Sequence, residues 1–308
     1  MADEGASESE LPIYVINAFT DKPFCGNPAA ICLPGHKELD TSIYQKLAAQ
    51  MNISETAFIG KKSESQDYKT GSCFNLRWFT PTVEVPLCGH ATLASAAALF
   101  YVTGNQNNSL SFDTLSGPLH VKRDGDFLCL NMPINKPSVV QKDILEQLEK
   151  LIKATVGDLA VNCVYHSSKT RKLLVRLEDS TSRSTFEAFQ PDIQSMLSTA
   201  PSKDLDVRGV IVTVKGSKEF GYCNDHGEQF DFVSRYFAPW LGIDEDPVTG
   251  SAHTVLGSYW SETLGKNNMM ARQCSARGGD LRVSILANDR IEVSGPAIVV
   301  LRGHIKYS

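Results

Sequence analysis

A duplicated block constrains the fold of this chain more than any other feature. Residues 77–81 read RWFTP and lead into EVPLCGHATLASAAAL (84–99); residues 235–239 read RYFAP and lead into EDPVTGSAHTVLGSY (245–259). Both copies keep Arg-aromatic-Phe-x-Pro and then Glu-x-Pro-x-x-Gly-x-Ala, and the loop between the motifs is three residues longer in the second copy. One such match would be noise, but two linked matches in the same order imply two similar halves. In each half a strand feeds a turn and the turn opens a helix. The first helix, expected over 91–102, carries small residues on every face and so suits burial.

The rest of the chain fits this plan. Alternating or β-branched runs predict strands at 12–20, 55–60, 74–80, 109–115 and 117–133, the last with an Asp-Gly turn at 124–125. Residues 41–51 have helical spacing, with Asp40 or Thr41 as N-cap. A Pro-containing stretch at 133–138 precedes a charged helix predicted over 139–155. Further strands are expected at 172–177, 207–216, 229–239 and 297–307, a helix at 251–265, and a hairpin across Asn288-Asp289. Strand and helix mix without regular alternation, so the class is α+β. The expected organisation is an acidic tail over 1–10, one domain over 11–132 and a second over 133–308.

Composition removes several functions. The net charge is −5 with no Lys/Arg cluster, which disfavours nucleic acid and anionic membranes as partners. No run reaches the roughly 18 apolar residues of a membrane span. The eight cysteines are widely spaced and no secretion signal precedes them, so free thiols in a cytoplasmic protein are expected. Cys223-Asn-Asp-His226 reads as a turn, and no metal is expected. Dinucleotide, P-loop and nucleophile-elbow motifs are all missing from the sequence, in keeping with a site that uses no cofactor.

The two turns carry the chemistry. Gly89 and Gly250 stand just before their helices, where the first N–H groups lack intrahelical partners. Glycine admits a ligand close to that backbone, and a helix start favours an anion. If the halves face each other, both starts would serve one cleft for a small carboxylate, lined by His90, Asp246, Thr249 and Ser251. Packing offers a plainer reason for each Gly-Ala pair, and Asp246 before Pro247 is ordinary turn chemistry. The matched pair favours a site. Glu55 opens an alternating strand; to act as an acid and base near neutral pH it should be partly buried with its pKa raised. Glu84 and Glu245, matched across the repeat, could compete for that role or simply fix the turns. His253 has no such support.

Gly26-Asn27-Pro28, Ser54-Glu55-Thr56, Phe79-Thr80-Pro81, Gly89-His90 and Asp246-Pro247-Val248-Thr249-Gly250-Ser251 together resemble the phenazine-biosynthesis isomerase-like family, over the chain from about residue 12. The resemblance implies a diaminopimelate-epimerase fold. That means two pseudo-symmetric domains, each a curved, mostly antiparallel sheet around a central helix, with the last strand able to pack back on the first domain. It places the active site in the interdomain cleft, with Glu55 as the base that moves a carbon-bound proton. His90, Asp246 and Ser251 would assist, and Gly89, Ala91, Thr249, Gly250 and Ala252 would contact substrate. The best-known member shifts a hydrogen on a dihydro-hydroxyanthranilate without a cofactor, and members are commonly homodimers. The expected function is therefore a cofactor-independent isomerase acting on a small carboxylate-bearing metabolite. The alternatives are an epimerase or racemase of an amino-acid-like substrate, and a non-catalytic binding or regulatory protein. Racemases of this fold use two thiols; here Cys88 has Thr249 as its counterpart, too weak an acid to serve, so Cys88 reads as a small buried residue.

Overall fold

The structure, a computed structural model, describes residues 10–199 and 205–307. Residues 1–9 of the expected acidic tail lie outside these, whereas Glu10 already belongs to the first strand. The chain divides into two compact units. The first takes the residues up to Phe24, Pro28–Leu130 and those from Gly295 onward; the second takes Cys25–Asn27 and Asn131–Ser294.

The first unit holds β1 (Glu10–Ala18), β2 (Asn27–Gly35), α1 (Thr41–Met51), β3 (Glu55–Gly60), β4 (Cys73–Phe79), β5 (Glu84–Val85), α2 (Gly89–Ala97), β6 (Ser109–Thr114), β7 (Gly117–Asp124) and the start of β8 (Phe127–Pro133). β2–β3 and β4–β6 are parallel, while β3–β4, β4–β5 and β6–β7 are antiparallel. The parallel pairs need crossovers, and α1 and α2 lie within them. α1 starts where the sequence places it. The Asp40 carboxylate accepts the Ser42 amide at 2.8 Å, and Asn52 ends the helix at φ 49°.

All nine residues of α2 are buried, and its alanines let it lie close to β1 and β3. The helix begins at Gly89, two residues earlier than expected, because Cys88 is its extended N-cap. From Ala98 to Thr103 it widens into a π-helical turn that ends at Gly104, φ 69°. The expected single α-helix over 91–102 is thus an α-helix and a π turn.

The second unit runs through β9 (Ser138–Val139), α3 (Lys142–Val156), β10 (Val161–Ser167), β11 (Lys172–Leu177), α4 (Arg183–Ala188), α5 (Ile193–Ser198), β12 (Gly209–Lys215), β13 (Phe232–Phe237), α6 (Gly250–Leu264), β14 (Asn268–Gln273), β15 (Gly279–Ile285) and β16 (Arg290–Gly295). The predicted charged helix is shorter at its start. Val139 pairs with Tyr165 of β10 and Val140 donates to the Val164 carbonyl, which holds that segment extended. β11 shows how the core sorts itself. Leu173, Val175 and Leu177 pack with Leu148 and Leu151 of α3, while the alternate residues point to the other face. On that other face Trp260 of α6 donates to Thr213 of β12 at 3.0 Å. The β15–β16 hairpin turns at Asn288 and Asp289, both at positive φ (58° and 53°), a conformation these residues tolerate better than most.

β17 (Ala297–Lys306) closes the chain. It runs antiparallel to β1, with Glu10 opposite Lys306 and Ala18 opposite Ala297, and so belongs to the first unit. Among the described residues no helix is long and apolar enough to cross a membrane.

Candidate active site

Glu55 is the first residue of β3, opposite Ala29 of β2. The left-handed turn at Asn52 brings the chain from α1 into that strand, which buries the residue at once. Its Oε2 lies 3.1 Å from Nε2 of His90, the second residue of α2. The contact is close enough for charge pairing, although Oε2 takes no well-aligned hydrogen bond. The other imidazole nitrogen, Nδ1, faces Cys88 Sγ at 3.5 Å. Ser54 Oγ lies 3.4 Å from Nε2 and donates to the Pro28 carbonyl. Cys88, His90 and Glu55 therefore form one compact buried cluster, with donor atoms within 4.8 Å of one another.

The electrostatics correct one expectation. Burial pushes the Glu55 carboxyl up, but the His90 charge and the close polar contacts with His90, Ser54 and Cys88 outweigh it, and the pKa is lowered. Burial pulls His90 down, but Cys88 and Glu55 outweigh it and hold the imidazole well above its ordinary value. The pair is thus a carboxylate beside an imidazolium. A lone buried carboxyl would have been raised, and the neighbouring cation reverses the sign. Burial and the Glu55 charge push the Cys88 thiol up, while His90 pulls it down. It is buried as expected, and it is also a neighbour of the imidazole, which its place before Gly89 did not reveal.

Glu55, Cys88 and His90 also have donor atoms within 4.8 Å of one another, the one such His/Cys/carboxylate group among the described residues. Their contacts with each other account for that closeness. Cys223 and His226 stand in a turn: Cys223 bridges to Gln229, and the Asn224 side chain accepts the His226 and Glu228 amides. All eight cysteines are free.

The start of α2 has no side-chain cap. Its N-cap, Cys88, is extended (φ −144°, ψ 114°), and Gly89 and Ala91 in the first turn are buried. The second unit repeats this at α6, whose N-cap Thr249 is extended (φ −112°, ψ 102°) and also gives no side-chain cap. Thr249 instead donates its hydroxyl to Asp246 Oδ2, while Asp246 Oδ1 accepts from Asn27 Nδ2 at 2.8 Å. Gln273 clamps the turn, donating to the Asp246 carbonyl at 2.6 Å and accepting the Thr249 amide at 2.9 Å. Gly250 and Ala252 are buried in the first turn of α6, with Ser251 between them half-buried. Asn27 belonged to a recognised motif, but nothing in the sequence marked Gln273.

The remaining candidates are structural. Arg77 donates to both Glu84 oxygens at 2.8 and 2.9 Å, and Arg235 to both Glu245 oxygens at 2.7 and 2.9 Å. The matched glutamates therefore fix the turns. His253 is buried, its Nδ1 lies 2.8 Å from the Thr249 carbonyl, and burial lowers its pKa to about 4, so it is a neutral core residue.

A buried carboxylate–imidazolium pair at one uncapped helix start, and an equivalent start in a second α+β unit, define an epimerase-like architecture. The chain belongs to the family described as phenazine biosynthesis-like protein, which residues 16–303 match. It is 48% identical over 294 residues to the phenazine biosynthesis-like domain-containing protein of Bos taurus, covering 96% of this chain and 98% of that one. A Pseudomonas aeruginosa protein named as an uncharacterized isomerase is 38% identical, covering 97% of this chain and 100% of that one. Among solved structures, a phenazine biosynthesis protein of the PhzF family from Enterococcus faecalis matches with a TM-score of 0.81 and 33% identity, covering 96% of this chain and 99% of the other.

Proposed function

We propose that this protein is an isomerase that moves a carbon-bound proton in a small carboxylate-bearing metabolite, without a cofactor. The observation that carries the reading is the buried pair of Glu55 and His90, 3.1 Å apart at the uncapped start of α2. Glu55, held ionised, is the base that takes the proton from carbon. His90, held protonated, offers a proton to the charge that develops on the substrate, or stabilises it in place. The starts of α2 and α6 have no side-chain cap, and each such start favours an anion by about 0.3–1 kcal/mol, up to about 2 kcal/mol when partly buried. Asp246 and Ser251 assist at the α6 start. The isomerase name of the Pseudomonas aeruginosa relative supports the reaction class.

Incubation with a metabolite extract in D₂O tests the reading. Carbon-bound deuterium should appear with the wild type and vanish with Glu55→Gln, which keeps the shape but cannot act as a base. Incorporation that survives Glu55→Gln removes Glu55 from the chemistry. No incorporation by the wild type favours a binding or regulatory protein.

Epimerisation is the second reading, favoured by the Cys88 thiol beside His90 Nδ1. The product distinguishes the two: deuterium at an inverted centre with unchanged bonding marks an epimerase, whereas a moved double bond marks an isomerase.

A further inference from the structure

Lys172 opens β11 and is only 8% exposed. A buried ammonium with three N–H donors ordinarily has acceptors around it. Among the described residues this one has a single long hydrogen bond, 3.5 Å to the Thr170 carbonyl, and lies 5.4 Å from the centre of the Tyr236 ring. The other buried cation of this unit, Arg235, is by contrast fully engaged by Glu245 and by the carbonyls of Phe186 and Phe189.

Strand alternation shows where Lys172 sits. Lys172, Leu174 and Arg176 share one face of β11. Arg176 fixes what that face meets, since its guanidinium stacks 4.9 Å over Trp260 and donates to the Tyr259 hydroxyl at 3.2 Å, both on α6. Lys172 is about 13 Å nearer the beginning of β11. The first turn of α6 lies about 15 Å before Trp260 along the helix. β13, one strand beyond β12, gives the same location. Tyr236, which lies below the ammonium, holds the Asp246 amide on its carbonyl at 3.0 Å, and the chain enters α6 four residues after Asp246.

We propose that Lys172 is an anion anchor of the second unit, whose ammonium and the first N–H groups of α6 together take the carboxylate of the substrate. This rests on the reading above that the substrate bears a carboxylate. The charges nearby are Asp246, which attracts the ammonium, and Arg171, which repels it; Asp246 already has both oxygens engaged, by Asn27 and Thr249. Burial pulls the Lys172 amine down to about 8, with Asp246 opposing, so near neutral pH it is largely charged. An arriving carboxylate supplies the acceptors it lacks and completes its protonation. A neutral analogue of the same shape does neither, so the residue sets specificity as well as affinity.

The test uses the full chain and benzoate as probe, with benzamide as its neutral counterpart. Competitive acetylation, read lysine by lysine by mass spectrometry, should show benzoate slowing the modification of Lys172 several-fold while leaving exposed Lys215 unaffected. Benzamide should protect neither. Benzoate affinity should fall about tenfold in Lys172→Met and recover in part in Lys172→Arg. Unchanged labelling of Lys172, or equal binding of benzoate to wild type and Lys172→Met, overturns the proposal. The labelling on wild type decides if Lys172→Met does not fold. Protection by benzoate in a chain that incorporates no deuterium leaves the anchor standing and removes the catalytic reading. Deuterium incorporation undiminished in a folded Lys172→Met removes the anchor alone.

Discussion

His90 has one ring nitrogen beside a carboxylate and the other beside a thiol, and this gives a sign to the pH dependence of stability. Its pKa in the folded chain lies well above the ordinary 6.5. The folded state therefore keeps a proton that the unfolded state releases, so the contribution of His90 is complete below about pH 6.5 and is lost as pH rises through the folded value. Glu55 works from the other end. Its pKa is lowered from 4.5, so its contribution is present above that value and lost as pH falls through the folded one. The urea-midpoint difference between wild type and His90→Gln should be largest at about pH 5–6 and shrink as pH rises above the ordinary imidazole value through the folded one. A difference that is flat or grows with pH would show that the imidazole is not held protonated. Little of this was legible beforehand. The residue types and positions were visible in Ser-Glu-Thr and Cys-Gly-His, but a pKa depends on which charges the fold brings within a few ångströms. The expectation for Glu55 failed because it treated burial without the neighbouring cation.

At the scale of elements, the repeat proves to be one turn stabilised twice by the same device. In each copy an arginine on a strand grips a glutamate across the turn with two hydrogen bonds, and its guanidinium lies 5.1 Å over the phenylalanine two residues on. The two copies should differ in energy because their settings differ. The Arg235 side chain is 4% exposed, whereas that of Arg77 is 22% exposed and also donates to Glu38 and Thr41. Removing Glu245 leaves a buried cation with only main-chain acceptors, so Glu245→Ala should cost about 2–3 kcal/mol. Glu84→Ala should cost about 1 kcal/mol, since Arg77 keeps its other partners and some solvent. Equal costs in chemical denaturation would mean that burial does not set the difference. The motif Arg-aromatic-Phe with a later Glu was readable, but which glutamate is structural was not, because an ion pair across a turn leaves no spacing of its own. Helix α2 shows a similar limit. Its alanine run foretold burial, but the backbone of Cys88 that starts it early and the π turn that ends it are decided by packing.

At the scale of the molecule, the chain order and the structural units disagree at Cys25–Asn27 and at the last strand, and the second is open to experiment. The repeat led to an expectation of two halves with a boundary at the Pro-containing stretch after residue 132. The sequence also showed the last strand as a β-branched run. Its partner was harder to assign, because the polar and apolar alternation of 297–306 would serve any open sheet edge. That partner is β1, at the opposite end of the chain, and the ladder spans Glu10 to Ala18 with one register shift between Val15 and Ile16. Leu11 and Ile13 of β1 pack in the same core as Tyr44, Phe58 and Phe79, and Ile305 of β17 leans against it. Ending the chain after Gly295 therefore removes a strand from the unit that carries Glu55 and His90, although both are distant in sequence. Hydrogen exchange on the truncated chain should show β1 losing protection first, and Glu55-dependent deuterium incorporation should be lost with it. In the second unit, the ladder of β10 to β13 contains no residue beyond Phe237 and should keep the protection it has in the full chain. Intact protection of β1 after the truncation would show that the β1–β17 pairing is dispensable to the first unit.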